Sequence, residues 1–382
     1  MEETLKTTCL HDSHVSLGAQ MSPFGGFDMP IQYSGIIDEH NAVRHRCGMF
    51  DVSHMGEILI TGPGSEEFVG HIFTNDVRGI PAGKILYGMM LYPDGGVVDD
   101  LLVYRLADDR WLLVVNASNI GKDFEWIQKQ SDGYDVKVEN LSDFYGEIAL
   151  QGPLAEKTAL DVLGLDLQDL VFYTFRELPY HAHVEPENAA GNGSAASLEG
   201  ESIIVSRTGY TGEDGFEFYA SFAVIRDIWE RLLAAGVTPC GLGCRDTLRF
   251  EVGLPLYGHE LSAEISPIEA GLGMFVKMDK PEFIGKDAIE RQKACGVTRK
   301  VVGIELKDKA IPRAGYPVEA DGQQIGEVTT GYNSISTGKS VCMALIKKEF
   351  SAPGTEVCVR IRKKVFPGTV CKKKFYEKNY KK

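Results

Sequence analysis

An apolar run at 86–92, a Pro93-Asp94-Gly95-Gly96 break and a second apolar run from Val97 predict a β-hairpin. A Gly-rich tight turn between two strand-forming runs closes antiparallel strands. Two aspartates interrupt the second run. Side chains alternate across a strand, so Val98, Asp100, Leu102 and Tyr104 share one face while Val97, Asp99, Leu101 and Val103 share the other. Each carboxylate has apolar neighbours on its own side, where an ionised group needs hydrogen bonds, a cation or an exposed rim. Two readings follow. Either the pair ties down the turn and caps nearby backbone, or one aspartate stands in a ligand pocket that tunes its protonation.

The rest of the chain mixes helical and strand periods. Ser22-Pro23-Phe24-Gly25-Gly26-Phe27 and Met29-Pro30 carry loop signals, and Ser34 reads as the N-cap of a helix that places Ile36, Ile37, His40 and Val43 at helical spacing. Strands are predicted at 57–61, 111–116, 145–150 and 175–184, and helices at 65–73, 118–130, 153–163 and 225–233. The polar stretch 186–200 reads as a surface insertion. A strand at 203–208 runs into Gly209-Tyr-Thr-Gly-Glu-Asp-Gly215, whose glycines let backbone approach a ligand closely, and then into a strand on which Phe216 and Phe218 face away from Glu217. Cys240-Gly-Leu-Gly-Cys244 opens a helix bearing Arg245, Asp246, Arg249 and Glu251, where Asp246 and Arg249 read as a buried ion pair. A helix is expected within 285–297. From Val301 onward, short β-rich runs between Gly, Pro, Asn and Ser turns predict a separate small barrel or sandwich, and the Lys-rich tail reads first as solvated and second as a docking patch for an acidic partner.

With 382 residues, 43% hydrophobic and 25% charged, the chain is a folded protein of two or three domains. A net charge of -14 argues against nucleic acid as a partner. No apolar run approaches the roughly 20 residues of a membrane helix, and the acidic start resembles neither a signal nor a transit peptide, so a cytoplasmic protein without membrane contact is expected. Eight cysteines form no CxxC pair and the nine histidines are dispersed (His181 and His183 could share a strand face), so no metal site is expected. Ser53-His54 lacks a nucleophile elbow, no GxGxxG fingerprint is present, and Gly338-Lys339-Ser340 fails as a phosphate loop because Asn333 stands where its first Gly is needed. Asp100, Glu217 and Arg245, with Tyr87, Tyr104 and Tyr210, would suit a flat, amide-rich heterocycle. Carboxylates accept its N–H groups, rings stack on it, and the guanidinium pairs with an attached carboxylate.

An ordered motif series carries a resemblance. Asp51-Val-Ser-His-Met55, Gly95-Gly-Val-Val-Asp-Asp-Leu101, Leu150-Gln-Gly-Pro153, Gly209 to Glu217, Gly243-Cys-Arg-Asp-Thr-Leu-Arg249, Leu256-Tyr-Gly-His-Glu260, Gly326-Glu-Val-Thr-Thr-Gly331 and the terminal Lys-Phe-Tyr resemble the aminomethyltransferase family, the T-proteins of glycine cleavage. The resemblance implies an α+β, three-domain cloverleaf around a folate-binding opening: 1–50 with 140–284, then 51–139, then a C-terminal β-barrel at 285–382. It implies transfer of the methylene of an aminomethyl group on lipoylated H-protein to tetrahydrofolate, releasing ammonia and dihydrolipoyl H-protein, with no metal. It also implies Asp100 as the catalytic carboxylate, with Asp99 as its structural neighbour. Glu217 would sit at the amino-pyrimidine edge, Met55, Tyr87, Leu102, Tyr104 and Tyr210 around the site, Arg245 at its far side, and Tyr380 as the tyrosine that completes it. Two alternatives share the fold: a folate-dependent demethylase module, for which a flavin domain is missing, and a folate-binding assembly factor without enzymatic activity, whose Lys-Gly-Cys-Tyr-type motif is absent.

Overall fold

The computed structural model describes residues 4–180 and 201–380. His181, His183 and the stretch 186–200 therefore lie outside the described residues. Two sheets and a barrel organise the chain. The first sheet has six strands in the order Phe175–Pro179, Ser202–Ser206, Gly215–Ser221, Tyr145–Gln151, Gly48–Asp51 and Thr238–Pro239; all neighbours are antiparallel except the last pair. Its apolar face, including Ile148, Leu150, Phe216 and Phe218, packs against the helices Ala155–Leu163 and Phe222–Ala234. The alternation predicted for Phe216, Glu217 and Phe218 holds. Both rings are in the core, and Glu217 points away from it.

The second sheet is antiparallel, in the order Ile85–Leu91, Val97–Ala107, Arg110–Val115, Gly56–Thr61 and Lys137–Asn140. Helices Ser65–Ile72 and Ile120–Gln130 cover one face and bury Phe68, Trp111 and Ile127. Its other face meets the first sheet through Ile85, Tyr104, Leu112, Val114, Phe175, Ile204 and Tyr219. The expected hairpin joins the first two strands. Its turn is pinned from outside, since a Cβ on Gly96 would stand 1.9 Å from the Ala263 carbonyl oxygen, and Val97 N–H donates to Ser262 O.

Six strands close the C-terminal barrel: Arg299–Leu306, Ser340–Lys347, Gln323–Asn333, Pro317–Ala320, Glu356–Ile361 and Lys364–Cys371. The strand Pro317–Ala320 has no counterpart in the sequence pattern, being four residues with only Val318 fully buried. The expected helix between the sheets and the barrel is Lys286–Cys295.

Three expectations are corrected. The Ser22–Phe27 loop signals belong to a second hairpin, Gln20–Phe24 with Phe27–Gln32, whose two-residue turn uses the positive φ of Gly25 and Gly26. Ser34 does not cap the helix Ile36–His45. The Glu39 carboxylate collects the amides of Tyr33, Ser34 and Gly35 at 2.6, 3.0 and 3.2 Å, satisfying the approach from within the helix. The Lys-rich tail is not free in solvent. Phe375 and Tyr376 donate their amides to Glu251 O, Asn379 donates to Gly212 O, and the Tyr376 ring covers the Arg44 guanidinium at 4.4 Å.

Candidate active site

Where the two sheets meet the helix Leu242–Glu251 and the tail, a cavity of about 490 Å³ opens. Met55, Tyr87, Asp100, Leu102, Tyr210, Glu217, Arg245 and Tyr380 all line it. Antiparallel register brings Tyr87 opposite Leu102 and Met89 opposite Asp100, so Tyr87 and Asp100 are diagonal neighbours on the cavity face. The Tyr87 hydroxyl donates to Asp100 Oδ2 at 2.8 Å. Asn116, just beyond the strand Arg110–Val115, donates its Nδ2 to Asp100 Oδ1 at 3.1 Å and to Asp99 Oδ1 at 2.9 Å. Burial, and after it the neighbouring Asp99 charge, push the Asp100 carboxyl up to about 7, against the pull of these two donors. Asp99 is fully buried. It accepts from Asn116 N–H and from Asn119 Nδ2 and does not line the cavity.

Opposite stands a second acidic group. Glu217 is 7% exposed and accepts from the Thr208 hydroxyl, with Tyr219 OH at 3.4 Å. Glu147 lies beside it in the wall with Oε2 unpaired among the described residues, and burial, then the Glu217 charge, raise it well above the usual carboxylate range. Burial raises Glu217 as well. The Arg245 guanidinium lies 4.5 Å from the Tyr210 ring centroid, and its charge favours the ionised forms of both glutamates. Tyr210 is itself fixed by donating to Pro255 O. Asp246 and Arg249 form the expected ion pair, Nε to Oδ1 at 2.6 Å, with Arg249 buried but Asp246 only half-buried.

Tyr104 does not reach the cavity. Its ring fills the seam between the sheets with no exposure, and its hydroxyl lies 2.9 Å from the Tyr219 hydroxyl and donates to Ser206 Oγ at 3.2 Å. It positions Tyr219, which does line the site. Sequence reasoning missed Asn116, Glu147, Thr208, Phe172, Tyr173, Tyr219, Phe275, Lys373 and Lys378. Glu147, like Asp100, shares its strand face with apolar neighbours, here Tyr145 and Ala149, and that signal could have found it. Tyr380 stacks on Phe172 at 4.5 Å, so the tail forms one wall. Ser53 exchanges hydrogen bonds with the Glu147 backbone, and burial holds His54 down to about 3, which disposes of a Ser–His nucleophile. No metal-binding cluster occurs among the described residues, and none of their helices is long and apolar enough to cross a membrane.

Residues 10–185 and 190–280 match the GCVT N-terminal domain, and residues 299–377 match the glycine cleavage T-protein C-terminal barrel domain. The chain belongs to the glycine cleavage aminomethyltransferases. The aminomethyltransferase of Lysinibacillus sphaericus is 48% identical, with 99% of this chain and 100% of that protein covered. That of Alkaliphilus oremlandii is 45% identical over 99% of each. The crystal structure of glycine cleavage system aminomethyltransferase T from Bartonella henselae superposes with a TM-score of 0.89 at 32% identity, covering 99% of this chain and 100% of that one. The α+β architecture ending in a closed barrel is thus the aminomethyltransferase fold.

Proposed function

We propose that the cavity binds tetrahydrofolate and that the enzyme moves the methylene of an aminomethyl group on lipoylated H-protein onto it, giving 5,10-methylenetetrahydrofolate, ammonia and dihydrolipoyl H-protein. The observation that carries this reading is Asp100, a carboxylate poised to gain or lose a proton near pH 7, facing a cavity whose far wall holds Glu217, Glu147 and Arg245. Its volume lies in the range of small-molecule sites. Phe172, Tyr173, Tyr210 and Phe275 supply faces for a flat ring, and Glu217 offers an acceptor for ring N–H groups.

The chemistry fits these groups. The transferred carbon is bound to sulfur and nitrogen, so loss of ammonia leaves an electrophilic, sulfur-stabilised (thionium-like) centre, and the thiolate leaves after the folate amine has attacked. The attacking folate amine must be unprotonated, and its proton must leave as the ring closes onto the second amine. Asp100 orients both amines, stabilises the developing positive charge and accepts the proton. Glu217 holds the pyrimidine edge, with Met55 and Leu102 against the ring. We read the two sheets and the barrel as three units around the site, 1–50 with 140–284, 51–139 and 285–382.

The test is the reverse reaction. With dihydrolipoyl H-protein, ammonia and 5,10-methylenetetrahydrofolate present, the enzyme should consume the methylenetetrahydrofolate in a manner dependent on all three. Consumption independent of H-protein would point instead to a demethylase module, and folate binding without turnover to an assembly factor.

A further inference from the structure

Behind Asp100, on the side away from the cavity, lies a second carboxyl that the proposed reaction does not use. Asp123, in the helix Ile120–Gln130, has no exposure, and neither of its oxygens accepts a hydrogen bond from an N–H or hydroxyl among the described residues. Its close polar neighbour is the Asp99 carboxylate, with which it is in hydrogen-bonding contact. The nearest cation, Lys122, stands 3.5 Å from Asp123 Oδ1 and is about one-third exposed, but it directs its hydrogen bonds to Val98 O and Tyr257 OH. Asp99, by contrast, is supplied with donors from Asn116 N–H, Asn116 Nδ2 and Asn119 Nδ2. A single, partly exposed ammonium serves two buried carboxyls in contact, which disfavours ionising both, and the partner with the hydrogen-bond donors keeps the charge. We propose that Asp99 and Asp123 share a single proton, held on Asp123 and donated to Asp99, so that one negative charge stands beside Asp100 and sets the pH at which it serves as a base.

The groups that face this pair from the packed elements are Asp100 on the same strand, Lys122 on the helix, and Tyr257, whose hydroxyl donates to Val97 O at 3.1 Å. Tyr87 and Tyr210 face Asp100 itself. Burial, and after it the Asp99 charge, push Asp123 up to about 10, consistent with a proton retained through neutral pH. Asn116 makes the coupling direct, because one amide group bonds both Asp99 and Asp100. Asp99 and Asp123 are positioning residues: neither lines the cavity.

This inference rests on Asp100 as the base, so two measurements separate it from that assignment. The first needs no turnover. An infrared difference spectrum of wild type against Asp123→Asn at pH 8 should show the carbonyl stretch of one protonated carboxylic acid, lost in the variant and retained in Asp100→Asn. Buried Glu57 and Glu147 contribute equally to both and cancel. Absence of that difference band overturns the shared proton. The second is the pH dependence of kcat/KM in Asp99→Asn. Removing the charge beside Asp100 should move the acid limb to lower pH by about 1–3 units. A limb that stays in place overturns the role assigned to Asp99. Should Asp100→Asn turn over normally while the infrared band behaves as stated, it is the choice of base that fails and not the proton pair.

Discussion

The Tyr87 hydroxyl and the Asp100 carboxylate are joined across one hairpin at 2.8 Å, on a diagonal of the antiparallel register. A hydrogen bond to a carboxylate favours its ionised form, whereas burial and Asp99 favour the neutral one. The balance leaves Asp100 at about 7, so the carboxylate form that the proposed base requires predominates only above neutrality.

Replacing Tyr87 by Phe removes a donor from the charged form and must raise the Asp100 pKa. A hydrogen bond to a charged group contributes about 1.5–3 kcal/mol, which corresponds to a rise of about 1–2 units in the acid limb of kcat/KM. Rate profiles of the two enzymes across pH 5–9 decide the matter, and a limb moving to lower pH would contradict the assignment.

Asp100→Asn keeps the Tyr87 and Asn116 neighbours but cannot accept a proton. Transfer should fall by about 10²–10⁴-fold, the usual contribution of a positioned base, with folate affinity largely retained. Near-normal transfer in Asp100→Asn together with its abolition in Asp99→Asn would mean that the wrong aspartate had been chosen.

Glu217→Gln exchanges a charged acceptor for a neutral amide in a wall with few alternatives. Folate affinity measured by calorimetry should weaken by about 1–3 kcal/mol. No change would remove Glu217 from the site.

Tyr380 closes the cavity by stacking on Phe172. Its replacement by Ala removes one aromatic face from the cavity wall; stacking on such a face contributes about 0.5–1.5 kcal/mol beyond burial, so the KM for folate should rise about 2- to 10-fold. Thermal stability should change little, because the tail is also held at Glu251 O and Gly212 O. A KM equal to wild type would show that the tail wall does not touch substrate.

Glu251 ties the tail's seat to the barrel. Burial alone would raise its pKa, but hydrogen bonds from His40, Ser336 and Ser334 outweigh it and hold the group down to about 2. A folded-state value below the unfolded 4.5 gives stability that is complete above about pH 4.5 and lost as pH falls toward 2. Wild-type Tm should drop across that window. The drop should be shallower in Glu251→Gln, and identical slopes would count against this linkage.

Much of the site could be read from residue order. Strand alternation by itself put Asp100 on the face of Leu102, and set Glu217 against the core-facing Phe216 and Phe218, because a two-residue period is a local property of extended backbone. The motif series at 51–55, 95–101, 209–217 and 243–249 marked segments that all contribute residues to the cavity or its supports. Tyr104 shows where that reasoning stops. It shares a face with Asp100 and Leu102, yet sheet packing seals it into the seam and leaves Tyr219, from another strand, in the wall. The tail is the same lesson at longer range. Its lysines gave the pattern of a solvated end, and only Arg44, Glu251 and Phe172, drawn from three distant segments, turn it into a wall.

Composition, strand period and motif order thus determined the fold class and the family, and singled out the carboxylates proposed to carry the chemistry, since each depends on residues near one another in sequence. The protonation of Asp100, the proton between Asp99 and Asp123, and the closing of the cavity by Tyr380 were decided by tertiary structure. They depend on how much water is excluded and on which charges from remote segments come within a few ångströms, and no local pattern encodes either quantity.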